Sequence, residues 1–382
     1  MINKIGYLYL TRVIFSAYSI LILYISMKYL NLDEYGSIVK EMSIYALFGR
    51  VITWGFGYKI RDLIDESSSG VKTYVASRQL LYILSLLLFL IVNLIYEISS
   101  NPLLILLALF LYTFDISLYY QAINQQLKIF FVSLFGCLLS GIVLIYIISN
   151  GGINHKNLLL VIMVVPNLFW ALMCFYEVMK DKEVLNLNRV RYFIFDSWEM
   201  FTITSLSGLY TNLIPIMLGS ISLSMAGLYG LVSRLSNFSK MFGFVFNQVI
   251  YYGRYRVSLV RKVVIPLLSG IVGSALSGLF FNVYFTEKVG FYFDSEWLFI
   301  AFVMIFTIVG VIANSLIITV FYDKKLYKEY RLRSFIIICS VMAAAYYNLF
   351  GLNLILAHLL IEILIIVTSI HFLKKGKINE AR

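Results

Sequence analysis

Side chains that carry chemistry are scarce in this chain. Its 382 residues include three histidines and three cysteines. His155, His358 and His371 have no aspartate beside them. A membrane acyltransferase would need such a pair. The chain has no nucleophile elbow, phosphate-binding glycine loop or metal-ligand spacing. Cys137, Cys174 and Cys339 fall inside apolar runs at scattered depths, which suits neither a disulfide framework nor a metal site. Charge is short as well. Only 13% of residues are Asp, Glu, Lys or Arg, against about 25% in a soluble globular domain. Polar connections are so brief that neither side of a membrane has room for a soluble domain.

Apolar surface is what the chain has in quantity. Hydrophobic residues make up 61% and the mean hydropathy is +0.87, the composition of an integral membrane protein. A spanning helix needs roughly 20 mostly apolar residues. The pattern predicts an all-α polytopic membrane protein with about twelve transmembrane helices, over 6–30, 36–58, 79–96, 102–124, 129–149, 157–179, 199–219, 225–250, 263–285, 297–320, 334–349 and 352–373. The run after Lys4 is too long for a signal-peptide core and lacks a small-residue cleavage site, so it reads as the first span.

Basic residues fall on alternate connections. One side collects Lys59, Arg61, Lys72 and Arg78; Lys128; Lys180, Lys182, Arg189 and Arg191; Arg254, Arg256, Arg261 and Lys262; and Lys324, Lys325, Lys328, Arg331 and Arg333. The other side is mostly acidic or uncharged, with Asp33 and Glu34, Glu97, His155 and Lys156, and Glu287, Lys288, Asp294 and Glu296. Basic residues at span ends stay cytoplasmic, which predicts cytoplasmic termini and an even number of spans. The net charge of +11 is then this bias facing anionic lipid head groups, and nucleic acid is not an expected partner.

An internal repeat at an offset of 194 residues links the second and eighth spans. Tyr35-Gly36 matches Tyr229-Gly230, Phe48-Gly49 matches Phe242-Gly243, Lys40 matches Arg234, Val51 matches Val245, and Tyr58 matches Tyr252. The offset is near half the chain length. It predicts two pseudosymmetric six-helix bundles, 1–180 and 199–382, joined by a cytoplasmic linker at 181–198, with a central substrate path.

Ionisable groups within spans cost about 2.5–3.5 kcal/mol each at a helix centre, and so mark functional positions. At about 1.5 Å per residue, Arg12 and Arg50 lie roughly 10 Å from the cytoplasmic surface, and Lys40 and Arg234 lie in the outer half. Gly36, Lys40, Ser43, Leu47, Arg50 and Trp54 share one helix face; Gly230, Arg234, Asn237, Met241, Phe244 and Gln248 share the equivalent one. Arg12, Lys40, Arg50, Arg234 and Asn237 are thus candidate cavity residues. Arginine forks suit phosphate oxygens. Lys40 has two other readings, pairing with Glu41 and snorkelling outward, and Arg12 could reach the inner head groups. Asp115 and Glu362, near mid-membrane, are candidate proton or sodium sites, or counter-ions to the arginines. His358 stands one turn before Glu362. Pro166, Pro215 and Pro266 are expected to kink their spans.

Three stretches carry a family resemblance. Lys28-Tyr-Leu-Asn-Leu-Asp-Glu-Tyr-Gly36, Gly55-Phe-Gly57 and Ala226-Gly-Leu-Tyr-Gly-Leu-Val-Ser-Arg-Leu235 resemble segments of bacterial polysaccharide-repeat flippases, within the superfamily of multidrug, oligosaccharidyl-lipid and polysaccharide exporters. The usual Gly-Pro before the glutamate is here Asn31-Leu-Asp33. The resemblance implies alternating access in the bacterial inner membrane. The substrate would be an undecaprenyl-diphosphate-linked oligosaccharide, moved outward for O-antigen or capsule assembly beside a polymerase and chain-length machinery. It implies no resident cofactor and no enzyme activity. A small-molecule antiporter of the same superfamily is the nearest alternative, and a cationic cavity disfavours cationic drugs. An O-antigen polymerase is the second; its usual long external loop with arginines has no counterpart here. A major-facilitator transporter is the third, and its glycine-aspartate-arginine signature is missing from Tyr58–Arg78.

Overall fold

The computed structural model describes residues 2–66, 70–182, 184–237, 264, 267–268, 270–273, 275, 296–321, 327–346 and 354–380. The fold is that of a polytopic all-helical membrane protein, and among the described residues there is no strand.

The helices, in chain order, are α1 (Ile2–Tyr29), α2 (Leu32–Thr53), α3 (Phe56–Glu66), α4 (Val71–Tyr96), α5 (Pro102–Tyr112), α6 (Ser117–Ala122), α7 (Gln126–Ser149), α8 (His155–Met163), α9 (Val165–Lys180), α10 (Leu187–Asp196) and α11 (Trp198–Ile221). They continue with α12 (223–237), α13 (Glu296–Phe321), α14 (Tyr327–Tyr346) and α15 (Leu354–Glu380). Among the described residues, four segments are long and apolar enough to cross a membrane by length and composition: Val71–Tyr96, Pro102–Ala122, Gln126–Ser149 and His155–Lys180. Their outward faces are apolar. On α4, Leu80, Leu84, Leu87, Ile91 and Leu94 are exposed, while Tyr74, Arg78, Leu81, Ser85 and Phe89 are buried. Oily residues outside and polar ones inside fit a helix solvated by lipid.

Several spans differ from their sequence reading, each for a visible reason. The second ends early. Trp54 and Gly55 both adopt left-handed backbone (φ 42° and 72°), which stops α2 and starts α3. A Cβ on Gly55 would sit 2.5 Å from the backbone nitrogen of Phe201, so only glycine fits this turn. The third span starts earlier than Arg78, so Lys72 and Arg78 lie within α4 rather than in a connection. The fourth is broken at 113–116. The sixth is interrupted at Val164, next to Pro166, as a proline in a helix requires. Pro215 lies within α11; Pro266 is outside the described residues. The linker segment contains α10, whose N-terminus Asn186 caps by accepting from the backbone N–H of Asn188 and Arg189. At the start of α2, Asn31 and Glu34 form a reciprocal capping box (2.8 and 3.0 Å).

Two compact units make up the chain. One comprises Met1–Tyr18 and Tyr29–Leu223, the other Ser19–Lys28 and Ser224–Arg382. In the first, α2 is packed by α4, α5, α8 and α11. An aromatic cluster from the end of α2 to α10 fills its core, with Phe56 stacked on Phe193 (4.5 Å) and Trp54 on Phe201 (3.9 Å). In the second, α15 packs against α13 and α14.

Candidate functional site

Helix α2 distributes its polar side chains over different neighbours. Lys40 and Arg50 turn toward α11 and lie over glycines. A Cβ on Gly219 would be 2.9 Å from Lys40 Cδ, and one on Gly208 would be 2.9 Å from Arg50 Nε. Trp54 continues this face, stacking on Phe201 and donating from its indole N–H to the Ile194 carbonyl (3.0 Å). Lys40, Arg50 and Trp54 thus do share one face, and α11 and the end of α10 cover it. Arg50 is exposed and Lys40 half-buried. Neither has an ion-pair partner among the described residues.

Glu41 is not the partner of Lys40. It is buried, and its carboxylate accepts from Ser99 Oγ (2.6 Å), the Ser100 backbone N–H (2.7 Å) and Ser100 Oγ (2.9 Å). Three donors to one carboxylate fasten the loop after α4 to α2.

Asp115 sits in the break between α5 and α6. Its Oδ1 accepts from the Ser117 N–H (2.8 Å) and so begins α6. At the break the Tyr112 carbonyl accepts from the Asp115 N–H (3.1 Å), and Arg78 adds a second donor to it and serves the Asp115 carbonyl. Arg78 is fully buried. It donates to the carbonyl of Asp115 (2.5 Å), the carbonyl of Tyr112 and the hydroxyl of Tyr74 (2.7 Å). Its guanidinium also lies over the rings of Tyr112 and Tyr74, at 4.8 and 5.5 Å. Tyr112 packs against Gly49 and edge-on to Tyr45, whose hydroxyl accepts from Asn167 (3.0 Å). Arg78 escaped the sequence reading because it looked like the positive flank of a span. The signal available was Tyr74, Arg78, Leu81, Ser85 and Phe89 at helical spacing.

The second unit holds the remaining candidates. Arg234 is half-buried on α12, and Asn237 is exposed at the end of its described part. The other residues of that predicted face, Met241, Phe244 and Gln248, are outside the described residues, as is most of the eighth-span half of the repeat. Arg12 lies in α1, its side chain outside the described residues. His358 and Glu362 on α15 are both buried and meet, Nε2 to Oε1 at 3.3 Å. Tyr229 of α12 completes the group, its hydroxyl 2.9 Å from His358 Nδ1. The pairing of His358 with Glu362 follows from their spacing of four; Tyr229, a member of the Tyr-Gly repeat, joins them from a distant part of the chain.

No protein-family model matches the chain, and no curated protein matches its sequence. Among solved structures, the chain is similar to the lipid II flippase MurJ in its inward closed conformation. The TM-score is 0.63 over 99% of this chain and 88% of that one, at 14% identity. That likeness establishes the fold. A helical integral membrane protein of this architecture is what the lipid-facing leucines of α4 and the composition also require.

Proposed function

We propose that the protein is a flippase for an undecaprenyl-diphosphate-linked oligosaccharide, carrying repeat units of O-antigen or capsule across the bacterial inner membrane by alternating access. It is a transporter rather than an enzyme, with both termini cytoplasmic, two six-helix halves, and a polymerase with chain-length machinery downstream. The observation that carries this reading is the cationic face of α2. Lys40 and Arg50 are ten residues apart, about 15 Å along the helix, and no carboxylate among the described residues neutralises them. Cations kept in a membrane helix without partners are suited to an anion that visits. The MurJ-like fold supports the same class of substrate. Arg12, Arg234 and Asn237 are proposed to add contacts to diphosphate or sugar. Asp115 is proposed as a counter-charge to the buried Arg78 rather than an ion site, because Arg78 donates to its main-chain carbonyl and its carboxylate already begins α6. Transport is proposed to draw on a proton or sodium gradient.

The test is a substitution series at Arg50 in cells lacking the protein. Arg50→Ala should abolish transport at normal membrane levels and leave lipid-linked units on the inner leaflet. Arg50→Lys should rescue in part, since a point charge lacks the bidentate fork, and Arg50→Glu should be worse than Ala. Units that reach the outer leaflet yet stay unpolymerised would instead identify a polymerase.

A further inference from the structure

The second unit contains a buried group that phosphate binding does not use. Tyr229, His358 and Glu362 form a continuous line: hydroxyl to Nδ1 at 2.9 Å, and Nε2 to carboxylate at 3.3 Å. All three are buried. Phe306 walls the group, stacked on the imidazole (centroids 4.4 Å, 26°) and edge-on to the tyrosine ring (6.3 Å, 82°). Helix α15 therefore carries a titratable pair inside a membrane protein, clamped by α12 and α13.

We propose that Tyr229, His358 and Glu362 are a proton-binding site, and that its proton is the ion coupled to transport. The coupling, though not the binding, rests on the flippase reading. Two states balance. In one, imidazole is neutral: Nε2–H donates to Glu362, and Nδ1 accepts the Tyr229 O–H. The group then has a net charge of −1 in an apolar wall. In the other, one proton from the aqueous phase is bound at Nδ1. The imidazolium and carboxylate sum to zero, and Nδ1–H now donates to the Tyr229 oxygen, so the tyrosine O–H must turn to another acceptor. Burial in hydrocarbon disfavours an uncompensated charge, and the Phe306 face favours a cation above it. The loaded state therefore suits the dry, packed arrangement, and release suits a hydrated one. That difference is what lets a proton bias a conformational equilibrium. A sodium ion suits this geometry poorly. A hard cation needs a shell of oxygens, and here the carboxylate oxygen faces an imidazole nitrogen.

The described side chains of α13 include no titratable group. On α14 they include Arg333, which lies over Phe372 (5.2 Å), about 20 Å along α15 from His358, and the exposed Cys339. From α12, Tyr229 faces the pair, and Arg234 is half-buried five residues further on.

Nuclear magnetic resonance of the full-length protein in lipid nanodiscs, with ¹⁵N-labelled histidine, tests this without any lipid-linked substrate. Only three histidines are present, so a His358→Gln variant assigns the relevant signals. In the wild type, the His358 nitrogens should pass from the one-proton to the two-proton pattern as the pH is lowered over the range in which the protein stays folded. Tyr229→Phe should alter the Nδ1 signal of the neutral form, and Glu362→Gln should suppress the two-proton pattern. Sodium added at constant pH should change nothing. An invariant His358 signal across that range would overturn the proposal, as would a sodium response equal to the proton response. If the signal titrates while Arg50 variants transport normally, the proton site stands and the flippase reading falls.

Discussion

Replacing Arg78 with methionine removes a buried cation and keeps its bulk. In the wild type the guanidinium serves two main-chain carbonyls at the α5–α6 break and the Tyr74 hydroxyl. Methionine leaves the Asp115 carbonyl without a donor, while the Tyr112 carbonyl keeps the Asp115 N–H (3.1 Å). One orphaned buried group costs about 1–3 kcal/mol. Losing the cation–π contacts with Tyr74 and Tyr112 adds about 1 kcal/mol. The desolvation cost that arginine itself carries offsets part of this, which places the expected loss at about 1–3 kcal/mol. Arg78→Lys should lose less, because one ammonium can serve one carbonyl and retain the charge. The assay is reversible unfolding in mixed detergent micelles, followed by tryptophan fluorescence. Arg61→Met, on the exposed side of α3, serves as the control and should change stability by less than about 0.5 kcal/mol. An Arg78→Met protein as stable as the wild type would refute the reasoning and mean that the break holds without its arginine.

Glycine contacts make a contrasting set. Gly55→Ala faces backbone at 2.5 Å and a φ of +72°, so it should destabilise by more than about 2 kcal/mol in the same assay. Gly208→Ala meets flexible side-chain atoms of Arg50 and should cost under about 1 kcal/mol, whereas Gly219→Ala also meets Lys40 Cβ at 3.1 Å, which the helix backbone fixes, and should cost about 1–3 kcal/mol; both should lower transport, because the cations are displaced. Glu41→Gln should weaken the hold on the 97–101 loop by about 1.5–3 kcal/mol, measured as faster proteolysis there. Lys59 lies on α3, outside the spanning helices. Burial lowers its pKa, but Asp196 at 2.8 Å, with Asp62, raises it above the ordinary lysine value on balance. Its contribution is therefore complete at neutral pH and is lost as the pH rises through the raised pKa. Asp196→Asn should remove that alkaline loss, worth under about 1 kcal/mol for so exposed a pair, in unfolding measured across alkaline pH.

How far the sequence could be read depended on whether the cause was local. The helix at Gln126–Ser149 is a continuous apolar run and falls where hydropathy puts it. The interruption at Val164 is announced by Pro166. The break at 113–116 is not announced, since Thr113-Phe-Asp-Ile116 contains neither proline nor glycine and the arginine that reaches the Tyr112 and Asp115 carbonyls lies 34 and 37 residues earlier. The same arginine was misplaced because a charge at the start of an apolar run looks like a cytoplasmic flank. Helix α10 was hidden by its arginines, although Asn186 as a cap and the spacing of Val190 and Phe193 were available. The shared face of Lys40 and Arg50 was legible from 100° periodicity. Their glycine seats on α11 were not, because nothing local says which neighbour a face will meet. His358 and Glu362 could be paired by spacing; Tyr229 joins them across 129 residues.

Under the proposed function, the protein moves a lipid-linked oligosaccharide between leaflets. The most direct measurement of that movement uses liposomes holding the purified full-length protein and a fluorescent undecaprenyl-diphosphate oligosaccharide, with a membrane-impermeant quencher added outside. With protein present, quenching should proceed beyond the half of the label that faces outward at the start, and Arg50→Ala should restore the protein-free trace. Quenching that stops at the same half with and without the protein, under both proton and sodium gradients, would contradict the account.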